Sequence, residues 1–131
     1  MDAAHVIIPE DDPCPGIDFN YAENIFSITG MCYPENTRTF FDPVLKPFLA
    51  HLAAQDGTQI TFKMSVSYFN SSASRVLAEI FDALEACAKA GNTVLVLWCY
   101  EEDDDNMKEL AEDFEEDFEA ATFETREVPI D

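Results

Sequence analysis

Glycine is scarce in this chain of 131 residues: there are four, which leaves no glycine-rich loop to cradle a phosphate. Histidine is scarcer still, so only His5 and His51 could serve as a conventional general base. No G-x-S-x-G occurs, which removes the nucleophile elbow of the α/β-hydrolases. Cys14, Cys32, Cys87 and Cys99 show no C-x-x-C spacing, so the common redox and zinc patterns are absent. No apolar leader opens the chain, and the longest strongly apolar run, Val94 to Tyr100, is far too short to span a bilayer. A cytoplasmic protein with reduced thiols is expected. Positive charge is also thin: 7 Lys and Arg stand against 27 Asp and Glu, a formal charge of -20. Such a surface repels nucleic-acid phosphates and anionic membranes, and favours basic protein patches as partners.

Apolar residues, by contrast, are plentiful. They make up 47% of the chain and include eleven Phe, enough for one core in one domain. The organising stretch runs from Thr58 to Leu84. Ile60, Phe62, Met64 and Val66 alternate with Thr61, Lys63, Ser65 and Ser67, the period of a strand with one buried face. A sharp polar turn follows at Tyr68-Phe69-Asn70-Ser71-Ser72. Val76, Leu77, Ile80, Phe81, Leu84 and Ala88 then fall at the three-and-four spacing of one helix face. Ser71 or Ser72 is thereby placed where a helix N-cap belongs, with Asn70 as a further candidate. A hydroxyl at that position can cap the helix, or it can carry a phosphate that the helix N-terminus stabilises.

Either side of this unit the pattern continues. Residues 1–16, with Glu10-Asp11-Asp12 and Pro13-Cys14-Pro15-Gly16, read as a flexible N-terminal arm, with Val6-Ile7-Ile8 able to attach to a sheet edge. Residues 17–131 read as the folded domain. Ile17, Phe19 and Tyr21, then Phe26 and Ile28, form a hairpin that Gly30 ends. Phe40, Phe41, Val44, Leu45, Phe48, Leu49 and Leu52 make a helix interrupted by Pro43 and Pro47. It either starts at Pro43 or bends there, and Asn36 or Thr37 can cap it. Val94 to Cys99 is apolar on both faces, as in a central strand. Met107, Leu110, Ala111, Phe114 and Phe118 define a helix with an acidic outer side, and Thr122 to Val128 a closing edge strand. The fold class is a small α/β domain with a mixed sheet and its helices mainly on one face.

For catalysis, Ser71 or a cysteine could act as nucleophile, but His5 lies in the arm and His51 reads as a structural histidine on a helix. The acids Glu101 to Asp105 lack the alternation and the glycine of an EF-hand loop and read as solvated or partner-facing. No catalytic residue, metal ligand or cofactor is assigned. A serine at a helix start, taken alone, is more often only a cap.

Three further motifs point beyond a cap. Tyr33-Pro34-Glu35-Asn36 before a helix, Tyr68-Phe69-Asn70-Ser71-Ser72, and Ile80-Phe81-Asp82-Ala83-Leu84-Glu85, with Trp98, Tyr100 and the acidic Glu109 to Phe118 helix, resemble the SiaC family of bacterial regulatory phosphoproteins. The resemblance covers Ile17 to Val128. It implies a fold similar to the STAS domains of anti-sigma-factor antagonists and a phosphorylation-controlled partner switch rather than an enzyme. An anti-sigma-factor-like serine/threonine kinase would modify one hydroxyl and a PP2C-type phosphatase would restore it. The unmodified form would activate a target such as a diguanylate cyclase, within cyclic di-GMP signalling and biofilm regulation. By position the acceptor falls on Ser71, where the family has Thr, with Ser72 as the alternative. Tyr33, Glu35, Asn36, Tyr68, Asn70 and Arg75 would meet the partner. An acidic adaptor without a phospho-switch and, behind it, a small Ser/Cys hydrolase are the competing readings.

Overall fold

A row of side chains in register crosses five strands and sets the architecture: Phe19, Phe26, Phe62, Val96 and Phe123. In a pleated sheet laterally paired residues point to the same face, so this row makes one face apolar from strand to strand. The computed structural model describes residues 5–10, 15–32 and 37–128. In chain order it contains β1 (His5–Ile8), β2 (Gly16–Asn20), β3 (Ile25–Cys32), α1 (Thr37–Ala53), β4 (Gln59–Phe69), α2 (Ser71–Lys89), β5 (Thr93–Glu101), α3 (Asp105–Glu115) and β6 (Thr122–Val128). The strands lie side by side in that same order. β1, β2 and β3 pair antiparallel, and β3 to β6 pair parallel, each parallel step being bridged by a helix.

All three helices pack on the Phe19–Phe123 face, and each delivers a phenylalanine to it. Phe48 of α1 sits 4.8 Å from Phe19 and 4.9 Å from Phe26, ring centre to ring centre. Phe81 of α2 lies 6.0 Å from both Phe62 and Trp98. Phe114 of α3 reaches Phe81 at 4.9 Å and Trp98 at 5.6 Å. The next register row, Ile7, Asp18, Ser27, Lys63, Leu97 and Glu124, points to the opposite face. No helix among the described residues covers that side, which explains its polar content.

β5 lies inside the sheet, between β4 and β6, as expected of the Val94 to Cys99 run; Val94, Val96 and Trp98 are buried, whereas Leu95 and Leu97 face the helix-free side half-buried. Other expectations need correction. Gly30 does not end the hairpin. β3 runs on to Cys32 through a register shift at Gly30/Met31, and Gly30 has φ +89, a conformation open to glycine and strained for a side chain. The edge attachment expected of Val6-Ile7-Ile8 is present and extends to His5: His5–Ile8 is a regular edge strand on β2, with Val6 and Ile8 packed against the core. α1 starts before Pro43 and continues through both prolines, which stand exposed four residues apart on its outer side. Among the described residues no helix is long and apolar enough to cross a membrane.

The one-sided core makes a direct prediction. Phe81→Ala, at the junction of three strands and two helices, should lower the stability by about 3–5 kcal/mol. Leu97→Ala on the open face should cost only about 1 kcal/mol. Denaturant unfolding measures both, and equal losses would mean that a second layer covers the open face.

Candidate functional site

β4 is long, eleven residues, and its last residue Phe69 pairs with Cys32, the last of β3. The chain turns directly into α2 with one linking residue, Asn70, in extended conformation (φ -85, ψ 177). Its Oδ1 accepts the Ala73 N–H at 2.9 Å, and its carbonyl accepts the Ser74 N–H at 2.9 Å. Asn70 is therefore the N-cap, and the cap expected at Ser71 or Ser72 is not there. Ser71 and Ser72 are the first two residues of the helix, both exposed. Their hydroxyls carry no capping duty. Their backbone N–H groups are first-turn donors that the helix itself cannot satisfy, and the first turn holds no acid.

The remaining expected contacts divide. Tyr68, 52% exposed, and exposed Arg75 lie on either side of Ser71 in sequence, at the end of β4 and in the first turns of α2. Asn70 is tied into the cap. Tyr33, Glu35 and Asn36 lie outside the described residues, although the strand leading into them ends beside Phe69.

Beside this turn, a groove of about 360 Å³ opens between the end of β4 and α3. Phe69, Met107 and Leu110 supply its apolar surface, and Asp104, Glu109 and Asp113 its acidic side. Asp104 caps α3, its Oδ1 accepting the Met107 N–H at 3.1 Å. The acidic run is thus partly structural: Glu101 ends β5 and Asp104 starts the helix. α3 itself stops at Glu115, so Phe118 packs on Phe81 from the loop beyond.

His51 sits at the other end of the sheet. Its Nε2 lies 2.6 Å from Asn24 Oδ1, and its ring packs edge-on against Tyr21. Asn24 Nδ2 donates to Gln55, so its Oδ1 is the acceptor and His51 Nε2 carries the proton. Burial lowers the His51 pKa. Asn24 precedes β3 where Thr61 pairs, and eight residue steps along β4 then lead from Thr61 to Phe69, roughly 26 Å of strand. His51 is thus remote from Ser71. His5 pairs with Asp18 at the β1 edge. Cys87 and Cys99 are buried free thiols.

One residue escaped the sequence reading. Glu85, 8% exposed on the inner side of α2, accepts the N–H groups of Glu119, Ala120 and Ala121 at 2.9–3.1 Å. Burial works to raise its pKa, but the three backbone donors and Lys89 outweigh it and hold the carboxyl below its usual value. Glu85 so fixes the loop that enters β6. The signal was present: a carboxylate next to Leu84 and four residues after Phe81 falls on the apolar stripe.

The SiaC family regulatory phosphoprotein model matches residues 8–128 of this chain. A curated relative, an uncharacterized protein of Pseudomonas aeruginosa, is 28% identical over 110 residues, covering 84% of this chain and 86% of its own. Apo-SiaC from Pseudomonas aeruginosa superposes with a TM-score of 0.84 at 28% identity, over 95% of this chain and 99% of the other. A chain from the crystal structure of the diguanylate cyclase SiaD in complex with its activator SiaC gives 0.83 at 26% identity, over 92% and 99%.

Two measurements test the geometry. Asn70→Ala should cost about 0.5–2 kcal/mol of stability, whereas Ser71→Ala should cost less than about 0.5 kcal/mol. The reverse order would restore the cap to serine. Glu85 has a depressed pKa, so its contribution is complete above its ordinary value of about 4.5 and is lost as the pH falls through the lower folded value. The stability gap between wild type and Glu85→Gln should therefore be widest at neutral pH and close in acid. A gap independent of pH would mean that the carboxylate charge contributes nothing.

Proposed function

This chain belongs to the SiaC family of regulatory phosphoproteins, and we propose that it is a non-catalytic partner switch controlled at Ser71. In this reading the unmodified chain binds and activates a diguanylate cyclase. A serine/threonine kinase of the anti-sigma-factor type phosphorylates Ser71, and a PP2C-type phosphatase reverses it, all in the cytoplasm. The observation that carries the reading is the exposed Ser71 hydroxyl at the first position of α2, with the cap supplied by its neighbour Asn70. Support for the target comes from the Pseudomonas aeruginosa SiaC, which is the activator of SiaD in their complex.

The physics gives one modification two different effects. A phosphoserine brings about -1.5 to -2 charges and three acceptor oxygens. At the start of a 19-residue helix with no acid in its first turn, the macrodipole and the unpaired N–H groups favour that charge, by about 0.3–1 kcal/mol per charge for an exposed group. The fold therefore tolerates it. A partner that buries the same turn must instead desolvate a dianion, which is costly unless cations meet it. Tyr33, Glu35, Asn36, Tyr68, Asn70 and Arg75 are the contacts this reading assigns to the partner.

The test uses the cognate kinase and target. Phosphate should be transferred to wild type, mapped to Ser71 by mass spectrometry, and not transferred to Ser71→Ala, which should still activate the cyclase. Ser71→Glu should stay folded and activate it poorly. Phosphate on Ser72 alone would move the acceptor by one residue. A chain that binds its target and accepts no phosphate would be an acidic adaptor, and the switch would be wrong.

A further inference from the structure

We propose that the groove between the end of β4 and α3 is the docking site for the target, and that it takes a single amphipathic segment of the partner with apolar side chains on one face and Lys or Arg on the flank facing α3. The inference rests on the partner-switch reading and names the chemistry that would fill the switch's surface. The groove lies where the switch needs it: Phe69, on its apolar floor, precedes Ser71 by two residues. Met107 and Leu110 complete the floor, and at about 360 Å³ it has room for two or three large side chains but not for a folded domain.

Charge selects the occupant. Glu109 and Asp113, exposed and four residues apart, stand on the α3 wall with Asp104. The first turn of α2, which begins two residues after Phe69 and contributes nothing to the groove lining, contains no acid. An anionic or neutral segment gains nothing from the α3 wall, whereas a basic flank pairs with three carboxylates around an apolar centre. The opposite flank of the segment passes the Ser71 end, where no cation is called for. A phosphate added at Ser71 meets no counter-charge from the partner there and must lose its water to let the segment seat. Groove and acceptor thus form one surface, with a wall that attracts the partner and a corner that modification closes. Phe69 connects the floor to the core as well, its ring centre 6.3 Å from that of Trp98.

The experiment selects a displayed library of random peptides, each about 15 residues and so about four helical turns, on the full-length unmodified protein. Enriched peptides should combine apolar residues at three-and-four or alternate spacing with Lys or Arg. Their affinity should fall at least about tenfold on the Glu109→Lys/Asp113→Lys double variant, whose exposed positions leave the fold intact. It should also fall on Leu110→Ala, and on Ser71→Glu. Failure to enrich any peptide, enrichment of acidic or uncharged peptides, or unchanged affinity for the double variant would overturn the proposal. Should Ser71 phosphorylation still release a target in any of those cases, the switch stands and its contact surface lies elsewhere.

Discussion

The hydrogen bond from the Ala73 N–H to Asn70 Oδ1, 2.9 Å long, decides how the surface of this protein can be used. It satisfies a first-turn donor of α2 from the residue outside the helix. Ser71 is then left as the first helical residue, exposed, with a hydroxyl that the fold does not consume. Under the proposed switch, stability and modification then fall to adjacent residues. Were Ser71 the cap, each phosphorylation would break a capping bond and each mutation would confuse folding with signalling. The helix beneath is anchored independently, by Phe81 among the aromatic rings and by Glu85 on the loop before β6.

The one-sided sheet completes this arrangement. Parallel strands β3 to β6 send the chain out at one common end, so the end of β4, the start of α2 and the start of α3 gather there. Charge is distributed unevenly over that end: Glu101 to Asp105 are five consecutive acids from the end of β5 to the start of α3, while the first turn of α2 has none. Under the proposed docking, a partner meets the acidic wall of the groove next to a helix start that bears no acid. Salt screens the wall, as it does any exposed charge, but leaves the apolar floor in place.

Element order was legible because period-2 and three-and-four patterns are long here and each ends in recognisable punctuation. Ile60 to Val66 and Val76 to Leu84 carry buried faces through enough residues to leave one reading. What was missed has local causes. Asn70, Ser71 and Ser72 are comparable caps by residue type, and only the point at which β4 stops decides between them. Gly30 reads as a terminator, yet the pairing with β4 carries the strand past it through a bulge. Leu95 and Leu97 stand half-buried on the open face, where an apolar residue looks like a buried one in sequence. Pro43 offers a helix start or a bend in sequence, but α1 begins at Thr37 and the two prolines, four residues apart, share its solvent side. The acceptor position came from resemblance to a family, not from periodicity; spacing alone could not separate a capping serine from a regulated one.

A single chemical species separates the effects this account keeps apart: protein carrying phosphate at Ser71 alone, prepared homogeneously. Its melting temperature and its affinity for the target, measured against the unmodified chain in the same buffer, are the decisive pair. The account predicts a melting temperature unchanged or slightly raised together with an affinity at least about tenfold weaker, a difference of about 1.4 kcal/mol or more. Equal affinities, or a loss of binding that tracks a loss of stability, would contradict it.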